Sequence, residues 1–203
     1  MNQIKIAFAV VLVFASSLVF AQNDSQTLFE NTPEIGFYIS PGLQVGPVAG
    51  ETAGFAAFKG GITFAQQFTV GGMYSFSFNE FTPSVETDQD MYMDVQLGGL
   101  LLEYTLSPSK LFHFTFPLAI GAGEIQMDWK ENSPNYNNDM LSEDNFFFVE
   151  PGAMLEVNVA KHIRLNAGLT YRLVPGGVDY RTYDAADISG LTASFGLKFG
   201  MFK

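Results

Sequence analysis

The sequence predicts an all-β fold, an eight-stranded antiparallel up-and-down transmembrane β-barrel. Three observations carry that reading. First, the stretch Ile163 to Leu173 alternates without a break. Ile163, Leu165, Ala167, Leu169, Tyr171 and Leu173 are apolar, while Arg164, Asn166, Gly168, Thr170 and Arg172 are polar or tiny. A period of two marks a strand with two unlike faces. Its length suits a tilted bilayer crossing, which needs about 9–11 residues. Second, similar stretches recur along the chain, eight in all. Third, the connections between them alternate between short and long.

The strands are expected at 34–47, 51–65, 68–79, 91–106, 111–128, 145–159, 163–174 and 188–201. Gln66-Gln67, Ser107 to Lys110 and Ala160 to His162 make tight turns. The stretches 80–90, 129–144 and 175–187 are long and rich in Asp, Asn, Glu, Pro and Tyr. The connection near Pro47 to Gly50 is short but falls on the long-loop side. Membrane barrels keep short turns at one end and longer loops at the other. No helix is expected in any connection.

The faces are explicit in three more strands. Phe68, Val70, Tyr74, Phe76 and Phe78 oppose Thr69, Gly71, Met73, Ser75 and Ser77. Leu191, Ala193, Phe195, Leu197 and Phe199 oppose Thr192, Ser194, Gly196 and Lys198. Phe147, Val149, Ala153, Leu155, Val157 and Val159 oppose Glu150, Gly152, Met154, Glu156 and Asn158. Two strands slip phase. Val95 and Leu97 give way to Leu100, Leu102 and Tyr104; Phe112 to Ile120 gives way to Ile125, Met127 and Trp129. Both slips fall on glycines (Gly98-Gly99 and Gly121 to Gly123), where β-bulges are expected.

The N-terminus has Lys5, an apolar run from Ile6 to Val13, and Val19-Phe20-Ala21. This is the pattern of a secretory signal, residues 1–21, cleaved after Ala21. Its run is shorter than the roughly 20 residues of a spanning helix. Residues 22–33 then form a flexible lead-in, and 34–203 the barrel, one domain by length. The chain has no Cys, which excludes a lipoprotein anchor, disulfides and thiolate metal sites. Without Lys5, nine basic residues face 21 acidic ones. Such a balance argues against nucleic acid as a partner.

The polar face carries charges of both signs. Lys59, Asp94, Glu150, Glu156, Arg164, Arg172 and Lys198 are expected to form a lumen charge network, because ions inside a narrow barrel must be paired. If Val159 opposes Ile163, paired positions in this hairpin sum to a constant. Glu150 then faces Arg172, Asn158 faces Arg164, and Glu156 lies diagonal to Arg164. Eight strands leave an interior just wide enough for side chains, so a plugged lumen is expected. A soluble lipocalin-like carrier remains the alternative, with the apolar rows turned inward.

The C-terminal alternation of Leu197, Phe199 and Met201, with Phe202 as last aromatic, resembles the assembly signal of bacterial outer-membrane β-barrels. The chain departs from that pattern by ending in Lys203 and by placing Phe202 out of phase. Over residues 34–203 it resembles small eight-stranded outer-membrane proteins of the OmpX/OmpA-barrel type, in a Bacteroidetes-like form. The resemblance implies a Gram-negative outer-membrane location, contact with outer-membrane lipid, and the barrel-assembly machinery as a partner during biogenesis.

Groups suited to catalysis are sparse. His162 reads as a solvated turn residue, and His113 as a packed or salt-linked lumen residue or a general base. Both fall at the short-turn end, which makes the resemblance to outer-membrane lipid A deacylases poor. Neither clusters for zinc, and no cofactor is expected. The Gly pairs lack the lysine of a phosphate loop. The loops hold Glu80, Glu86, Asp88 and Asp90; Asp128, Glu131, Asp139, Glu143 and Asp144; and Asp179, Asp184 and Asp187, without calcium-loop spacing. Phe81, Tyr136, Tyr180 and Tyr183 are candidates for an extracellular partner's contact surface, and Tyr92 and Trp129 for the aromatic girdle. The expected function is non-enzymatic: a structural barrel, or surface interaction through loops 80–90, 129–144 and 175–187. The alternatives are a lipid-modifying outer-membrane enzyme and the soluble carrier.

Overall fold

A computed structural model describes residues 34–83, 86, 90–130, 133, 142–176, 178 and 183–202. The expected signal and lead-in, and the loop residues Asp88, Glu131, Tyr136, Asp139, Asp179 and Tyr180, lie outside the described residues.

Eight antiparallel strands close in chain order: β1 (Ile35–Val48), β2 (Glu51–Phe64), β3 (Phe68–Ser77), β4 (Met91–Leu106), β5 (Phe112–Trp129), β6 (Ser142–Ala160), β7 (Ile163–Arg172) and β8 (Gly190–Met201). Each strand pairs with the next, and β8 returns to β1, with Phe37 opposite Met201 and Val45 opposite Ala193. Closure leaves no free sheet edge around the barrel waist, so backbone groups there are satisfied without water. One element is new. A four-residue helix, α1 (Ala185–Ile188), stands where a loop was expected. Asp184 caps it by accepting from the Ala186 and Asp187 amides, and Asp187 returns a carboxylate to the Asp184 amide. Two loop acids are thus capping groups.

The apolar rows of the barrel waist face outward. Leu169 and Phe195 are each 50% exposed, while Glu150 and Arg172 are 3% and 1% exposed. That arrangement is the reverse of a lipocalin's. The lipid-type surface runs over Leu191 to Met201 on β8, eleven residues, the length of a tilted crossing.

The expected bulges are absent. Across the glycines the ladder is continuous: Leu97 pairs with Gly123, Gly98 with Ala122, Gly99 with Gly121 and Leu100 with Ile120. Inward parity holds from Met91 to Thr105 along β4. The glycines answer to curvature. A wall of eight strands bends so sharply that inward Cβ positions crowd the neighbouring strand. A Cβ on inward-facing Gly121 would overlap the Gly98 carbonyl oxygen, whereas one on outward-facing Gly98 would meet only Tyr74 Cδ2 at 3.8 Å. The register shift lies instead between Asn158 and Ala160. Ala160, not Val159, therefore opposes Ile163, but Asn158 still faces Arg164.

What changes at the glycines is the filling of the barrel. On the loop side the interior is apolar: Val48, Phe55, Met93, Val95, Leu97, Ile125, Met127, Phe146, Phe148 and Ile188 form one buried cluster. On the turn side it is polar and ionic.

Candidate functional site

The turn-side layer is built on two buried carboxylates. Glu156, on β6, is fully buried. Its Oε1 lies 2.6 Å from Lys198 Nζ, and its Oε2 lies 3.2 Å from His113 Nε2 and 3.9 Å from Arg164 Nη1. Glu103, on β4, accepts from Tyr38 OH at 2.6 Å and from Lys198 Nζ at 2.9 Å. Lys198 bridges the two carboxylates across the lumen, and its ammonium stands 4.5 Å from the centre of the Tyr38 ring. His113 Nδ1 contacts the Lys110 carbonyl at 3.1 Å, so both ring nitrogens are engaged. Threonine pairs knit the walls, with Thr63 and Thr69 hydroxyls 2.9 Å apart and those of Thr105 and Thr115 3.1 Å apart.

A second pair sits higher. Arg172 Nε lies 3.6 Å from Glu150 Oε2, and Arg172 Cζ stands 5.1 Å from the centre of the Phe55 ring. Arg172 also donates to the Ile188 carbonyl of α1 at 3.4 Å. The guanidinium thus meets the underside of the apolar cluster. Lys59 shares a small cavity with Ser40, Gln44, Asn166 and Ser194, which Ala57 and Gly196 also line.

Six of the seven expected lumen charges therefore point inward, and one does not. Asp94 is on the outer wall. Met93 and Val95 on either side of it are fully buried, and its carboxylate meets Ser77 Oγ at 3.3 Å. The apolar residues Val95 and Leu97 belong to the interior cluster, which inverts the parity on which Asp94 was placed inside. Glu103 and Tyr38, absent from the expected network, are central to it. The signal for Glu103 was its place between Leu102 and Tyr104, both outward.

The loop side corrects the expected contact surface. Phe81 and Tyr183 are 6% and 4% exposed and pack into the apolar cluster. Trp129 packs against the same cluster, so it is no girdle residue. Tyr92 lies on the outward row beyond Asp94, outside the apolar belt. That row continues laterally. Tyr92 pairs with Asp128, Asp94 with Gln126 and Gln96 with Glu124; Gln126 donates to Glu124, and Tyr74 OH donates to Gln96 at 2.7 Å. The long strands β4 to β6 thus carry a polar outer face above the apolar belt. His162 contacts the Gly200 carbonyl at 2.9 Å and ties the last strand to the β6–β7 turn. Among the described residues no cluster of His, Asp or Glu is placed to hold a metal ion.

No protein-family model matches the chain, and no curated protein matches its sequence. Solved structures do match. The outer-membrane protein OprG of Pseudomonas aeruginosa aligns with a TM-score of 0.56 at 10% identity, over 84% of this chain and 97% of OprG. Neisserial surface protein A gives 0.55 at 8% identity, over 83% and 97% of the two chains. Ail, the attachment invasion locus protein of Yersinia pestis, solved with the heparin analogue sucrose octasulfate, gives 0.52 at 14%, over 84% and 100%. At these identities the likeness is one of fold, and the fold is the small eight-stranded outer-membrane barrel.

Proposed function

We propose that this chain is an integral outer-membrane barrel that conducts no ions and acts as a rigid anchor for its loop-side end. The carrying observation is the reversal of the interior at mid-height. The waist has an apolar exterior and a paired ionic interior, while the loop-side half is sealed by Val48, Phe55, Leu97, Met127, Phe148 and Ile188, each at most 1% exposed. Ions in transit would have to cross that dry cluster, at a large desolvation cost. The signal at 1–21 delivers the chain, and the barrel-assembly machinery inserts it.

The surface it displays is the polar face of β4 to β6 with loops 80–90, 129–144 and 175–187. Asp94, Glu124 and Asp128 make that face acidic. The sulfated ligand held by Ail would be repelled here, so the partner expected is a cationic protein surface. A catalytic role finds little support, since His113 is committed to Glu156 and Lys110. Three measurements test the proposal together. Unheated and boiled samples should migrate differently on gels of the outer-membrane fraction, a surface-restricted acylating reagent should label Lys130, and planar bilayers should show no conductance steps. Discrete steps, or recovery in the soluble fraction, would overturn it. An altered lipid A profile in a deletion strain would favour the enzyme reading instead.

A further inference from the structure

At the turn-side mouth, residues from three turns and the last strand's end surround an open vestibule of about 250 Å³. Gln66, Ser109, Lys161, Arg164 and Phe202 line it, and among the described residues no Asp or Glu side chain does. Arg164 is the unusual member. Its side chain is only 5% exposed, yet among the described residues the carboxylate nearest it, Glu156, stands at 3.9 Å, beyond hydrogen-bond length, and its Nε has no hydrogen-bond partner. Glu156 lies closer to other partners, Lys198 at 2.6 Å and His113 at 3.2 Å. Phe202 covers one face of the guanidinium, with its ring centre 3.8 Å from Cζ. Stacking of this kind leaves the planar edge, where the N–H donors lie, to bind. A buried guanidinium with an unmet N–H is costly, and an acceptor of opposite charge at its remaining donors lowers that cost.

We infer that the vestibule is a phosphate-binding site, with Arg164 as its fork, Lys161 as a second cation and Ser109 as a hydroxyl donor. Donors that approach from separate elements suit a tetrahedral oxyanion with three or four acceptor oxygens better than a carboxylate with two. Phe202 is then a positioning residue that holds the guanidinium edge-on to the mouth. Its inward turn also accounts for its being out of phase with Leu197 and Phe199, which face outward. The inference concerns the end of the barrel opposite the proposed interaction surface and stands apart from it.

The test is titration of the full-length mature protein, refolded in a non-ionic maltoside micelle, with inorganic phosphate while the arginine Nε–H resonances are followed by NMR. Saturable shifts of the Arg164 Nε–H and the Lys161 amide are expected, with sodium acetate much weaker. Lys161→Gln, on the exposed rim, should weaken phosphate binding by about threefold or more, and Arg164→Gln should abolish it. A parallel arm replaces the micelle with nanodiscs of phosphatidylglycerol or phosphatidylcholine. Shifts already present in nanodiscs without phosphate would assign the ligand to lipid headgroups, and shifts that need added phosphate to a soluble ester. Linear shifts, equal response to acetate, or unchanged affinity in Lys161→Gln would overturn the assignment. Because Lys161 is a surface turn residue, its variant keeps the test decisive even if Arg164→Gln folds poorly.

Discussion

Glu156→Gln is the most informative single substitution in the barrel. The carboxylate is fully buried and serves Lys198, His113 and Arg164 at once. Glutamine keeps the shape and one carbonyl acceptor but removes the charge. Breaking a buried ion pair from one side costs about 3–5 kcal/mol, because the partner is left uncompensated. Retained neutral hydrogen bonds return about 0.5–1.5 kcal/mol each. A net loss of about 2–4 kcal/mol follows. Glu103→Gln should cost less, about 1–2 kcal/mol, since Lys198 keeps Glu156 and the Tyr38 hydroxyl keeps an acceptor. Adding Arg164→Gln to Glu156→Gln should recover part of the loss, as it removes the stranded cation. Urea titration in detergent reads all four proteins, with mobility of unheated samples as one probe. Trp129, the only tryptophan, is the other, at the opposite end of the barrel. If Glu156→Gln stays within about 0.5 kcal/mol of the parent, or if Glu103→Gln costs more, the reasoning fails.

Three further substitutions probe other parts of the fold. Gly121→Ala should destabilise by about 1–3 kcal/mol, because its methyl meets a neighbouring backbone that cannot yield, while Gly98→Ala, one rung away but outward, should be neutral in the same titration. Phe195→Asp places a charge on the lipid-facing surface and should reduce the inserted fraction, at a cost of up to about 2–4 kcal/mol at mid-depth; Thr192→Asp, inside the wall, should insert more completely, and equal yields in vesicle-refolding assays would contradict the assigned faces. Ala49 adopts φ 51° in the β1–β2 turn, a conformation that costs a non-glycine residue about 1 kcal/mol. Ala49→Gly should therefore raise the urea midpoint slightly, and a lower midpoint would show that packing of the Ala49 methyl outweighs the strain.

Much of this architecture was legible because β-periodicity, turn chemistry and strand length are local. The register of the β6–β7 hairpin followed from one turn. It survived the bulge because the extra residue lies between Asn158 and the turn. Glu150 and Arg172 therefore meet as the alternation implied. Where local pattern ceased to determine the answer was the loop-side half. An apolar row there looks the same whether it faces lipid or a dry core. The pattern alone therefore points Val95, Leu97, Ile125 and Met127 outward, and the same inversion carries Asp94 inside. Phe81 and Tyr183 sit in acidic loops that sequence alone leaves in water. Only the long-range closure that gathers Ile188, Phe55 and Leu97 into one buried cluster shows that they have a core to enter.

The phase slips near Gly98 and Gly121 have a physical meaning that a bulge would not supply. Along β5, Phe112, Phe114 and Phe116 face out and His113 and Thr115 face in; beyond Gly121 to Gly123, Glu124 and Gln126 face out while Ile125 and Met127 face in. The backbone does not change step, so the solvent outside it must. Below the glycines the outer medium is apolar, and a polar interior is tolerated because the charges are paired. Above them the outer medium is aqueous, and the strand follows the ordinary rule of a water-soluble sheet, polar out and apolar in. The level of Gly98 and Ala122 therefore marks where hydrocarbon ends. On this reasoning the upper parts of β4, β5 and β6 form a small water-facing domain fused without a linker to the membrane-spanning barrel. The apolar cluster beneath it draws Leu97, Ile125, Met127 and Phe148 from these strands and Val48, Phe55 and Ile188 from β1, β2 and α1, so the inner face of β4 to β6 is one wall of a core that the whole loop-side half shares.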